Sequence, residues 1–153
     1  MEVDKNLLDN LYIHQDMPAG YVPTDNEPYM NERQLEYFKH KLLSWKEKLL
    51  HDSQETVIKL KDEGGRETDI LDQGAVETNM ALHLRNRDRD RKLIQKIDDA
   101  LERIKMGTYG YCEESGEEIG LDRLEARPIA RLCLEEQELR ERRERARRNR
   151  HTT

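Results

Sequence analysis

The sequence predicts an all-α-dominated protein: a long antiparallel coiled-coil hairpin, a small degenerate zinc-ribbon-like globular end and a C-terminal helix. Three observations lead there. Apolar residues recur at helical spacing in two stretches, Leu35, Phe38, Leu42, Trp45 and Leu49, then Met80, Leu84, Ile94, Ile97, Leu101 and Ile104, so each helix offers a one-sided seam that needs the other. No proline falls between Pro28 and Pro128, which leaves long helices uninterrupted. Charged residues, at 39%, outnumber hydrophobic ones, at 35%, which fits an elongated core better than a large globule.

Residues 1–30 form an acidic N-terminal segment with six carboxylates against Lys5. Leu7, Leu8, Leu11, Tyr12 and Ile13 suggest a short amphipathic helix, too short to be stable alone. Pro18, Pro23 and Pro28 then impose an extended path, either a linker or a strap anchored by Tyr21, Val22 and Tyr29.

The hairpin is expected over residues 31–106. Asn31 is suited to the N-cap, Gln34 to the return half of a capping box, and Met30 with Leu35 to a hydrophobic staple. The first arm, from about Glu32 to Asp62, would run roughly 45 Å. Pairing the apolar ends of the two helices leaves Asp52 to Glu77 polar, with a tip over 62–74 where Gly64 and Gly65 break the helix. Thr68, Asp69 and Asp72 are candidate caps for the second helix, and acids near a helix start are favoured by its dipole. Ile70 and Leu71 among those acids instead suit a contact surface. The run LRNRDRDRKL, residues 84–93, reads either as a solvated face laced by pairs such as Arg87 with Asp90 and Asp88 with Arg91 or Lys92, or as a basic grip for an acidic partner.

Residues 107–134 change style. Gly107 is placed to end the helix, and Gly110, Gly116 and Gly120 permit tight turns. Cys112-x-x-Ser115, 17 intervening residues and Cys133-x-x-Glu136 occupy the frame of a four-ligand zinc site with two ligands missing. Cys112 and Cys133 offer thiolates and Glu136 an oxygen, but Ser115 is a poor ligand and no histidine lies between 84 and 150. The expectation is a vestigial metal site, zinc not required, with a core of Tyr109, Tyr111, Ile119, Leu121, Leu124, Ile129, Leu132 and Leu139. If the ribbon geometry persists, the two thiols stay neighbours and a reversible disulfide is open to them. The final block, 135–153, is a charged helix and tail; from Leu134 to Arg150 it carries seven arginines against five glutamates. It reads as a solvated helix, with a nucleic-acid role as the alternative.

The net charge of −6 argues against a generally basic nucleic-acid binder. No run reaches the length of a membrane span, the acidic start lacks a signal peptide's basic region, and two cysteines do not make a disulfide framework. A cytoplasmic, monomeric protein is expected. No nucleophile-base pairing or phosphate-cradling loop emerges, so an enzyme is not expected.

Four stretches, YMNERQLEYF, LRNRDRDRKLIQKI, GYCEESGEEIG and LEARPIARLC, resemble the DksA family of bacterial transcription factors, the DksA/TraR zinc-finger group, in its cysteine-poor form. The resemblance covers about residues 21–140. It implies a factor that binds RNA polymerase directly, without sequence-specific DNA binding, through the polymerase secondary channel, with an acidic coiled-coil tip near the active site that modulates open-complex stability. The family's tip acids fall on Asp69 and Asp72, its tip alanine on Gly74, and its channel-rim bases on Arg85 and Arg89. Residues of an alarmone (ppGpp) site fall on Leu93, Lys96 and Arg127, while Gln137 replaces a family lysine and removes one phosphate partner. Two rival readings remain: a transcript-cleavage factor that projects acids down the same channel to hold a metal, and a structural coiled-coil adaptor unrelated to polymerase.

Overall fold

In the computed structural model of the protein, residues 20–64 and 70–151 are described. The apolar cluster Leu7 to Ile13, Gly65, Thr68 and Asp69 lie outside them. Among the described residues there are four helices: α1 (Glu32–Gly64), α2 (Ile70–Met106), α3 (Leu121–Ala126) and α4 (Leu134–His151). Extended pairing among them is limited to one antiparallel bridge, Tyr111 with Glu118. The chain divides into two compact units, one of Leu42–Glu102 and one of the residues before and after it.

The start of α1 follows from its side chains. Asn31 Oδ1 accepts from the Gln34 N–H at 2.9 Å, as a cap should. The return bond differs from the expected box: the Asn31 N–H donates to Pro28 O, so Gln34 Oε1 accepts instead from the Met30 N–H at 2.8 Å. Met30 takes a φ of +53° there. Gln34 is completely buried, and its amide also donates to Thr24 O, so the cap residue pins the preceding segment onto the helix.

Leu42–Glu102 holds most of α1 and α2, helices of 33 and 37 residues, about 50 and 55 Å at 1.5 Å per residue. Leu42, Ile97 and Ala100 are fully buried in this unit, and Lys46 Nζ meets Asp98 Oδ1 at 2.7 Å. Five residues separate the helices, too few to cross a helix's length, so the hairpin is antiparallel. Trp45, Leu49, Ile94 and Leu101 are half-buried along the seam. Met80 and Leu84 are not part of it: they are 38% and 53% exposed. Counting back from Ile94 in steps of four and three gives Asp90, Arg87 and His83, so the apolar seam ends and Leu84 falls beside it. Between 43 and 64 and between 74 and 96 no described side chain is fully buried. Asp72 sits inside the first turn of α2 and not at its cap.

The other unit closes α2 and builds the knuckle. Gly107, at φ +75°, ends α2: its N–H reaches Ile104 O and the Thr108 N–H reaches Arg103 O, the paired bonds of a Schellman motif. Helix α3, not expected from the sequence, is six residues long and stops at Arg127, whose φ of −141° is the extended backbone forced by Pro128. The core is Phe38, Tyr109, Cys112, Ile119, Leu121, Leu124, Ile129, Ala130, Leu132 and Cys133. Tyr111 and Leu139, expected in it, are over a third exposed, and α4 buries nothing.

Candidate functional site

The tip is defined by where α1 stops and α2 begins. Asp69 lies outside the described residues; Asp72 stands in the first turn of α2, where the unpaired N–H groups and the dipole favour a carboxylate. Gly74, two residues on, has helical backbone and nothing within 4 Å of where a Cβ would be. Arg85 and Arg89 follow on α2, one turn apart and exposed. Of the expected pairs in that run, Lys92 meets Asp88 at 3.4 Å. Leu93 is half-buried and Lys96 exposed, three residues apart on α2, whereas Arg127 belongs to the knuckle unit. Arg127 borders an open groove of about 580 Å³ whose walls include Asp25, Leu121, Arg123 and Leu134. Gln137 donates to Glu141 at 2.9 Å.

The knuckle brings Cys112 and Cys133 together with Ser115. Both cysteines are buried and free. The Ser115 hydroxyl lies 3.8 Å from Cys133 Sγ and bonds the Cys112 thiol as well, so the residue that stands in a ligand position bridges the two sulfurs. Burial pushes the Cys112 thiol up. The Ser115 hydroxyl and the N–H groups of Cys133, Ser115 and Glu114 outweigh it and bring the thiol down to about 7. Glu136 is in the first turn of α4, and among the described residues no group of three or more His, Cys, Asp or Glu converges on one point. Two sulfurs and a hydroxyl do not make the four-donor set of a structural zinc site.

Within this unit the sequence offered Tyr21, Val22 and Tyr29 as strap anchors but not where they dock, and it missed the Tyr37, Lys41 and Tyr109 contacts. Tyr29 donates to Gly110 O at 2.7 Å and accepts from the Gly120 N–H at 3.0 Å, tying the strap to two knuckle turns. Tyr21 donates to Glu27 and stacks edge-on with Tyr37, whereas Val22, the third expected anchor, is 59% exposed. Tyr37 and Lys41 of α1 both meet Glu125 of α3, and Tyr109 donates to Pro128 O at 2.7 Å from inside the core. Tyr37 and Lys41 fall four apart on α1 beside Phe38; that spacing was the available signal, but their partner lies 84 and more residues away.

A helical hairpin joined to a knuckle that keeps half of a four-cysteine frame defines a coiled-coil protein of the zinc-finger-ended kind. Two family descriptions match: the N-terminal domain of DnaK suppressor protein DksA over residues 34–104, and the prokaryotic dksA/traR C4-type zinc finger over residues 107–142. The chain belongs to the DksA family. It is 58% identical over 131 residues to the RNA polymerase-binding transcription factor DksA of Caulobacter vibrioides, covering 86% of this chain and 92% of that one. Against the protein of that name from Escherichia coli K12 it is 44% identical over 120 residues, 76% and 80% of the two chains. The solved structure of transcription factor DksA2 from Pseudomonas aeruginosa superposes with a TM-score of 0.73 at 36% identity, covering 90% of this chain and 98% of that one. The C4 description sits on a chain with two of the four cysteines.

Proposed function

We propose that this protein is a transcription factor that binds RNA polymerase and acts, without enzymatic activity of its own, through the polymerase secondary channel. The observation that carries the reading is the 58% identity, over most of both chains, to a protein named for polymerase binding. The hairpin suits the role physically, because over 43–64 and 74–96 no described side chain of α1 or α2 is completely buried and charged faces are left for a partner. In this reading Asp69 and Asp72 carry negative charge to the vicinity of the polymerase active site and shift open-complex stability, with Gly74, a glycine inside α2, loosening the helix beside them. Arg85 and Arg89 grip an acidic rim. Leu93, Lys96 and Arg127 contribute to an alarmone site at the interface, weakened because Gln137 has an amide, engaged with Glu141, where a lysine would offer charge.

The knuckle in this reading folds without zinc. Its Ser115 bridge and apolar core supply the cohesion that a metal supplies in four-cysteine relatives. Stripping metal with a chelator leaves the far-UV helical signal and the Tm unchanged; a fall of Tm on chelation, restored by zinc, would contradict it.

Binding to purified core RNA polymerase, measured with and without ppGpp, tests the main reading. Saturable one-to-one binding is expected, with at most a few-fold effect of the alarmone. No binding would point to an adaptor. Shortening of the RNA when the protein meets a backtracked elongation complex would point to a cleavage factor.

A further inference from the structure

Beyond Gln137, the C-terminal helix has no role in the polymerase reading, and its charges are arranged by face. Arg140, Arg143, Arg147 and Arg150 follow one another at spacings of three, four and three, so they share an arc of about 80° and a stripe about 15 Å long. All four are exposed. Arg143, Arg147 and Arg150 have no ion-pair partner among the described residues, and Arg140 meets Glu144 only at the stripe's edge, at 3.5 Å. The other side of α4 holds its own pairs, Arg142 with Glu138 and Arg145 with Glu141, each 3.7 Å. Those pairs support a helix that buries no residue at all.

The helix dipole does not account for the stripe. It favours cations within the last turn, which explains Arg148, Arg150 and His151. It neither reaches Arg140 and Arg143 nor selects a face. After Leu139 the helix has no large apolar residue, so a protein partner would find no apolar centre to desolvate, and a membrane no apolar face to take in. A phosphodiester backbone asks for neither. It presents about one charge per 1.7 Å of duplex, so each guanidinium along 15 Å finds a phosphate to fork.

We infer that the Arg140, Arg143, Arg147 and Arg150 face of α4 is a docking surface for the nucleic-acid backbone, without sequence preference. The chain as a whole carries a net charge of −6 and is repelled by nucleic acid, so the contact depends on this local run of arginines. The contact is weak and electrostatic, in the range of about 10⁻⁴ to 10⁻⁶ M at physiological salt.

The test uses the full chain and two fluorescent probes, a 20-base-pair duplex and a 20-nucleotide single-stranded RNA, by anisotropy. Binding to the duplex should fall on the order of 100-fold between 50 and 200 mM salt, with a log–log slope of about −3.6, and of about −2.8 for the single strand, as four contacts require. Replacing the stripe with glutamine (R140Q, R143Q, R147Q, R150Q) should abolish binding at 50 mM salt. The control R142Q, R145Q, R148Q removes nearly the same charge from other faces and should bind within a few-fold of wild type, and circular dichroism should show α4 retained in both. Equal loss in the two variants, no binding at 50 mM salt, or displacement of the duplex by poly-glutamate at equal charge would each overturn the assignment.

Discussion

Tyr29 holds two turns at once. Its hydroxyl accepts from the Gly120 N–H and donates to Gly110 O, which also takes the Ile119 N–H at 2.9 Å, while its ring packs edge-on against Tyr111. Tyr29→Phe leaves the half-buried Gly120 N–H without a partner, while Gly110 O keeps the Ile119 N–H, and should cost about 1–3 kcal/mol in urea unfolding, with the hairpin's helicity unaltered. Four of the six tyrosines are held neutral by folding. Burial, aided by the Glu27 and Glu125 carboxylates, pushes Tyr21 and Tyr37 up to about 12, and burial raises Tyr29 and Tyr109. A raised tyrosine stabilises the fold below pH 10, and that contribution is lost as pH rises towards 12. Tyrosinate absorbance should therefore show Tyr21, Tyr29, Tyr37 and Tyr109 released together with unfolding between pH 10 and 12; independent titration of these four near 10 would contradict this. Gln34 illustrates what a sequence conveys at this scale. Its cap position is readable from Asn31 three residues before, but its complete burial comes from Thr24 and Glu27 in a proline-spaced segment that carries no periodic signal.

The glycines separate conformation from packing at the level of elements. Gly107 and Gly110 both require positive φ, but a Cβ on Gly107 meets open space, whereas one on Gly110 comes within 2.7 Å of Met30 Cγ. Gly107→Ala should cost about 1–2 kcal/mol and Gly110→Ala distinctly more, the difference being the displacement of Met30 and Tyr29. Gly74 is the opposite case, a helical glycine in open space, so Gly74→Ala should raise stability by up to about 1 kcal/mol and firm the start of α2. The two long helices were legible because a three-four repeat and a missing proline are local facts. Leu84 misled because it lies off the register, and Met80 because the repeat running back from Ile94 reaches it only after three polar positions, Asp90, Arg87 and His83, so no continuous seam forms. Helix α3 escaped notice because six residues between Gly120 and Pro128 are shorter than any periodic window, and it stands on Leu121 and Leu124 buried in a core assembled from distant segments.

For the whole molecule, the knuckle's cysteine frame and the four quoted stretches carried the family, and 58% identity to a curated relative establishes it. The acting residues were legible only through that resemblance. Nothing in the charge pattern by itself separates a carboxylate that favours a helix start from one that works on a partner, since both sit where the dipole is positive. The account's central claim is that Asp69 and Asp72 act after binding and do not create it. The direct measurement is Asp69→Asn with Asp72→Asn, assayed side by side for affinity to core RNA polymerase and for its effect on open-complex lifetime at an rRNA promoter. The account predicts affinity within about threefold of wild type, less than 1 kcal/mol, with the effect on lifetime abolished. A double variant that binds and still shifts the lifetime as the wild type does would contradict it.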